Sequence, residues 1–135
     1  MKNQILAPSL LSADFAVLGS EIKKIENNCG KAVHIDVMDG VFVPEITYGE
    51  PVIRSIRKLT KLPFDVHLMI DKPELHVESF MKAGADWLTF HIESTSHAHR
   101  IIQMIHENEK KLALLYVLEL QFLYCRKSFL VPILY

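Results

Sequence analysis

The sequence predicts an α/β fold: about four βα units whose parallel strands line part of a barrel, followed by an apolar tail. Three observations carry that expectation. Short β-like runs alternate with helical patterns through the first two-thirds of the chain. Successive βα units imply a parallel sheet, because parallel strands need crossover connections. Finally, the β-like runs show His, Asp, Met and Ser on one face and Val, Ile and Leu on the other, whereas a buried parallel strand is usually apolar on both. Helices cover the apolar face, so the polar face has to converge elsewhere. A barrel interior, with its site at the C-terminal strand ends, meets that need.

The elements follow in order. Ile5 to Leu11 reads as a strand with Ala7, Ser9 and Leu11 on one face. Asp14 to Asn28 reads as a helix with Leu18, Ile22 and Ile25 on one stripe, and Gly30 stands where a stop is expected. Ala32 to Met38 is the second strand, with Val33, Ile35 and Val37 opposed to His34, Asp36 and Met38. Pro51 opens a helix with Val52, Ile53, Ile56 and Leu59 as its apolar face, since the missing proline N–H has no helical partner at that position. Phe64 to Ile70 is the third strand, with Asp65, His67 and Met69 on the polar face. Pro73 opens the third helix, anchored by Leu75, Phe80 and Met81 and ended by Gly84. Trp87 to Glu93 is the fourth strand, in which Leu88, Phe90 and Ile92 oppose Thr89, His91 and Glu93. Ser94, Thr95 and Ser96 offer capping oxygens to a fourth helix carrying Ile101, Ile102 and Ile105. The first and fourth strands are expected to be unpaired at their outer edges, an association hazard.

The bulk numbers exclude several classes. In 135 residues, half are apolar and the net charge is −1, which opposes both disorder and a phosphate-neutralising nucleic-acid surface. The most apolar stretch, Leu112 to Tyr124, contains Glu119 and Gln121 and falls short of the ~20 apolar residues a membrane span needs. Met1 leads through Lys2, Asn3 and Gln4 into a strand-like run, with no cleavable secretory segment in view. Cys29 and Cys125 lack metal or redox spacing and read as free thiols of a reduced cytoplasm.

His34, Asp36 and His67 form the constellation with most chemical content. Two imidazoles and a carboxylate from adjacent strands suit zinc, iron, manganese or cobalt. A lone His-x-Asp pair is usually a core histidine with a hydrogen-bonded partner, and on these residues alone both readings stand. Met38 and Met69 follow their histidines by the same spacing. They fit either gap-filling core residues or a polarisable wall beside a reacting carbon. His97, His99 and His106 read as solvated surface, and Asp39 with Gly40 as turn chemistry. Lys23, Lys24 and Glu26 read as a solvated helix face.

The strings "ILAPSLLSADF", "VHIDVMDGVFVPEITYG", "FDVHLMI" and "GADWLTFHIE" resemble ribulose-phosphate 3-epimerases, in order and spacing, from Ile5 to about Lys111. The resemblance implies a TIM-barrel enzyme of the cytoplasm, acting in the pentose phosphate pathway with one divalent metal ion. It implies interconversion of ribulose and xylulose phosphates by proton transfer through an enediolate, with homo-oligomers for full-length members. It also implies that His34, Asp36 and His67 are metal ligands, that Asp36 is one of two catalytic aspartates, and that Ser9, His67, Met38 and Met69 meet the substrate. Glu45 stands where the family has asparagine, and Glu50 where a small residue or proline is usual. A sugar-phosphate decarboxylase is less compatible, because its acidic strand motifs carry a lysine that "HIDVMDG" and "DVHLMI" lack.

The chain divides at this boundary into 1–111, the N-terminal half of an epimerase barrel, and 112–135, a tail unlike the family. The family pattern would continue with a second aspartate, a third methionine and glycine-rich phosphate loops. The tail offers none of these. Shifting its reading by one base allows "LELQFL" to encode Gly-Thr-Pro-Val-Ser, a family-like turn, so a frameshift near the Lys111 codon is expected. Two function classes follow for the chain: an impaired epimerase, or a non-catalytic metal-binding pseudoenzyme fragment.

Overall fold

The computed structural model describes residues 5–115. Their centre is a parallel sheet of β1 (Val33–Met38), β2 (Phe64–Met69), β3 (Trp87–His91) and β4 (Lys111–Leu115), in that spatial order. Between the strands run α2 (Glu50–Arg57), α3 (Val77–Ala83) and α4 (Ala98–Glu107), while α1 (Leu18–Asn27) precedes β1. A parallel four-strand sheet with alternating helices is the architecture of a partial (β/α)8 barrel, although its fourth strand is Lys111–Leu115 and not Ile5 to Leu11.

The alternation of side chains decides what packs where. Val33, Ile35, Val66, Leu68, Leu88 and Phe90 are fully buried. They form one core with Ile22 of α1, Ile53 and Ile56 of α2, Phe80 of α3, and Ile101 and Ile105 of α4. The opposite face of the same strands carries the site.

Several boundaries differ from the sequence reading, each for a local reason. Ile5 to Leu11 does not form a strand. The carbonyls of Leu6 and Pro8 accept from Lys31 and His34 N–H, and Ser9 makes one parallel bridge to His34. Pro8 has no N–H to extend the ladder, and Ser9 Oγ accepts from Leu11 N–H to start a 3-10 turn, Leu10–Ser12. The first helix is preceded by a 3-10 turn, Phe15–Val17, capped by Asp14. Pro73 opens only a 3-10 turn, Pro73–Leu75, before α3. Leu75 is therefore 71% exposed and is no anchor, whereas Phe80 and Met81 are buried. Leu59 lies beyond α2 and is also exposed. No side chain caps α4 at its first residue; Thr95 Oγ1 instead accepts from His97 N–H, one step earlier. The third of these strands stops at His91, because Ile92–Ser94 turns into a 3-10 helix.

The outer edge of β3 is paired by β4, which crosses the expected boundary at residues 111 and 112. The remainder of the predicted tail, 116–135, lies outside the described residues, as does the shifted-frame reading placed on it.

Gly84 ends α3 at φ +120°, a left-handed conformation that favours glycine. Arg57 packs directly against it. The Arg57 guanidinium bonds Asp86, the carbonyls of Thr60 and Leu62, and stacks 3.8 Å from the Phe64 ring centroid. Asp86 in turn accepts from Phe64 N–H at 2.9 Å. This brace fixes the start of β2 against the turn that leads into β3.

Candidate metal centre

The strand register assembles the site. His34 lies beside Asp65, Asp36 beside His67, and Met38 beside Met69, while the Ser9 bridge sets the first segment next to His34. Residues two apart on one strand share a face, so three cross-strand pairs stack in layers toward the C-terminal end of the sheet.

Asp36 is the hub. Its Oδ1 lies 3.1 Å from His34 Nε2 and 3.1 Å from His67 Nδ1, and Ser9 Oγ donates to its Oδ2 at 2.5 Å. Behind His34, Asp65 accepts from Nδ1 at 2.8 Å and is 1% exposed. Beside His67, Nε2 meets His91 Nε2 at 2.8 Å. The His67 and His91 rings stack with centroids 5.0 Å apart, and Phe42 closes over His91 at 4.9 Å. Thr47 Oγ1 donates to the Asp36 carbonyl and accepts from Met38 N–H, which holds the end of β1.

Charge follows from this geometry. Burial alone would push His34 down, but hydrogen bonds and charge from Asp36 and Asp65 outweigh it and raise its pKa to about 9. Burial opposes ionisation of Asp36, yet the hydrogen bonds from His34, His67 and Ser9 hold its carboxyl well below the usual range. Burial, reinforced by His67, lowers His91. Tyr48 is pushed up to about 12 by burial and then by the Asp36 charge.

The ribulose-phosphate 3-epimerase family model matches residues 5–123, most of the chain. The chain belongs to the ribulose-phosphate 3-epimerase family. The match runs past Lys111, where the resemblance in the sequence was expected to stop. A ribulose-phosphate 3-epimerase of Bacillus subtilis is 53% identical over 106 residues, covering 78% of this chain and 49% of that protein. One of Treponema pallidum is 56% identical over 100 residues, covering 74% of this chain and 46% of the relative. A chloroplastic ribulose-5-phosphate-3-epimerase of Arabidopsis thaliana is 50% identical over 103 residues, covering 75% and 37% respectively. The chain spans about half the length, or less, of these epimerases.

The candidate site residues named from sequence are largely brought together. His34, Asp36 and His67 offer one donor atom each, all within 4.8 Å of one another. Ser9 reaches the same carboxylate, and Met38 and Met69 are adjacent in register and half-buried one layer above. A divalent ion fits this donor set. The 3.1 Å separations are close to the edge of a tetrahedron with bonds of ~2 Å. The carboxylate behind His34 also holds a proton on Nδ1, so that loss of the Nε2 proton would leave that nitrogen's lone pair for a cation.

Two residues of this cluster were not singled out in the sequence: Asp65 and His91. Both sat on the predicted polar face; the register sets Asp65 beside His34, whereas His67 is level with Thr89 and His91 reaches it from one layer further along the strand. The turn reading of Asp39 holds, since its carboxylate accepts from Val41, Phe42 and Asp71 N–H. His97, His99 and His106 are exposed. Among the described residues, no helix is long and apolar enough to cross a membrane.

Proposed function

We propose that this chain carries the metal-holding and first proton-transfer part of an epimerase site acting on ribulose and xylulose phosphates. The observation that supports it is the sharing of one buried carboxylate, Asp36, by His34, His67 and Ser9. His34, Asp36 and His67 would hold a zinc, iron, manganese or cobalt ion. Such an ion supplies Lewis-acid stabilisation for negative charge on the oxygens of a ketose.

The other work falls to the chain itself. Asp36 is kept ionised, so it accepts a proton from the carbon beside the ketone. Ser9 fixes the orientation of that carboxylate through Oδ2. Met38 and Met69 supply a polarisable wall over the same end of the sheet and exclude water from the carbon. As the resemblance implies, Ser9 and His67 would also border the bound sugar. The substrate of this reading is a small soluble sugar phosphate, which accords with the expected cytoplasmic location and with a net charge of −1.

Inversion needs proton-carrying groups on both faces of the carbon. Among the described residues, Asp36 is the carboxylate that faces both histidines. The described residues thus support exchange of the proton on one face, and the second acid is expected outside 5–115. The test supplies ribulose 5-phosphate and manganese in heavy water and follows carbon-bound deuterium by NMR. Deuterium is expected in the ribulose compound with the parent chain and not with Asp36→Asn. Equal exchange by that variant overturns the assignment of Asp36. Metal binding without any exchange by the parent favours the non-catalytic metal-binding module instead. Formation of xylulose phosphate locates the second acid within residues 116–135.

A further inference from the structure

We infer that His91 is a positioning residue for His67: its Nε2 accepts the His67 Nε2–H, so that His67 Nδ1 is free to offer its lone pair to a cation bound at the His34–Asp36 cluster. The inference rests on the metal reading above.

Two nitrogens, His67 Nε2 and His91 Nε2, lie 2.8 Å apart. Such a contact needs one proton between them. Two protons clash, and two lone pairs repel. His67 Nδ1 already faces Asp36 Oδ1, the atom that His34 also faces. To offer a lone pair to a cation at that point, His67 has to carry its ring proton on Nε2. His91 is then the acceptor, with its own proton on Nδ1.

The surroundings of His91 suit a fixed acceptor. It closes the end of β3, is 8% exposed, and lies between the rings of His67 and Phe42. Among the described residues, its Nδ1 is buried without a hydrogen-bond partner. None of them competes for His91 at that atom, so the ring is oriented by its Nε2 contact and by stacking. His34 has the corresponding support from Asp65 on its far nitrogen. The two histidines of the cluster are thus backed differently, one by a carboxylate and one by a neutral imidazole. A carboxylate draws electron density onto its histidine, while an imidazole orients with little added charge.

The test uses zinc and the purified chain, titrated by calorimetry, with ring 15N NMR of the same samples. His91→Phe keeps the ring and its stacking but removes the acceptor, and is expected to weaken zinc binding by about 10- to 100-fold. His91→Gln places an amide oxygen near the position of Nε2 and is expected to restore most of the loss. In zinc-loaded parent protein the NMR is expected to show His67 protonated at Nε2 and His91 at Nδ1. The NMR needs no variant, so it decides the matter even if a substitution unfolds the chain. Failure of the parent to bind zinc overturns the metal reading, and this inference with it. Parent binding matched by folded His91→Phe, or a zinc-loaded His91 protonated at Nε2, overturns the role of His91 alone.

Discussion

Asp65→Asn probes the site through a residue that does not itself face the cation. Asp65 is 1% exposed and accepts from His34 Nδ1 at 2.8 Å. Asparagine keeps the shape and one acceptor oxygen but removes the charge. A hydrogen bond to a charged partner contributes about 1.5–3 kcal/mol and a neutral one about 0.5–1.5, so about 1–2 kcal/mol is expected to be lost. Removing such backing from a ligand histidine commonly weakens a metal by about 10- to 100-fold. A second effect runs the other way. A proton and a metal compete for His34 Nε2, and Asp65 helps to raise the His34 pKa to about 9. The variant relieves part of that competition at neutral pH. The assay is therefore zinc calorimetry against a competing chelator across pH. Near pH 9 the proton competes least, and the variant is expected to bind at least tenfold more weakly than the parent, in line with the loss of histidine backing. Toward neutrality the two curves should converge. Equal affinities near pH 9, with both proteins folded, would refute the role given to Asp65.

Three further outcomes follow from particular contacts. Gly84→Ala places a Cβ 2.5 Å from Arg57 Cδ at φ +120°; strain of ~1–2 kcal/mol plus disturbance of the Arg57 brace should total about 2–4 kcal/mol in urea unfolding, and an unchanged midpoint counts against the brace. Ser9→Ala removes the 2.5 Å donor from Asp36 Oδ2, and metal-free protein should lose about 1–2 kcal/mol by the same measurement. In chelator, His34 contributes stability that is full below its unfolded pKa of about 6.5 and lost as pH rises through about 9. Asp36 contributes stability that is full above about pH 4 and lost in acid. Metal-free protein should therefore be most stable between about pH 4 and 6.5, with up to roughly 3 kcal/mol lost on the alkaline side. His34→Gln should flatten that side, and an unchanged alkaline slope in the variant refutes the assignment.

The strands of the site were legible because their side chains declare both faces. Val33, Ile35, Val66 and Leu68 alternate with His34, Asp36, Asp65 and His67, and a period of two has no other structural meaning. Ile5 to Leu11 misled for the converse reason. Its apolar residues look strand-like, but Pro8 and the Ser9 cap end the ladder after a single bridge. Leu75 looked like a helical anchor because Pro73 opens a helix-like turn, yet the helix proper starts only at Val77. Asp65 and His91 were visible as polar-face residues, but the first depends on the register that sets it beside His34 and the second on a diagonal side-chain contact with His67. Periodicity gives faces, whereas pairing between strands gives neighbours, and only the first is written in a local pattern.

The sheet order follows the chain order, each strand lying against its predecessor roughly 20 to 30 residues earlier. No strand waits for a distant segment to be inserted beside it. Pairings of this range close modest loops, which favours rapid, stepwise assembly. On a ribosome that releases the chain from its N-terminus, β1 and β2 can meet before α4 has been made. His34, Asp36 and His67 all lie on those two strands. A nascent chain thus acquires its chelating trio early, and a captured ion would then staple the first βαβ unit of the sheet while translation continues.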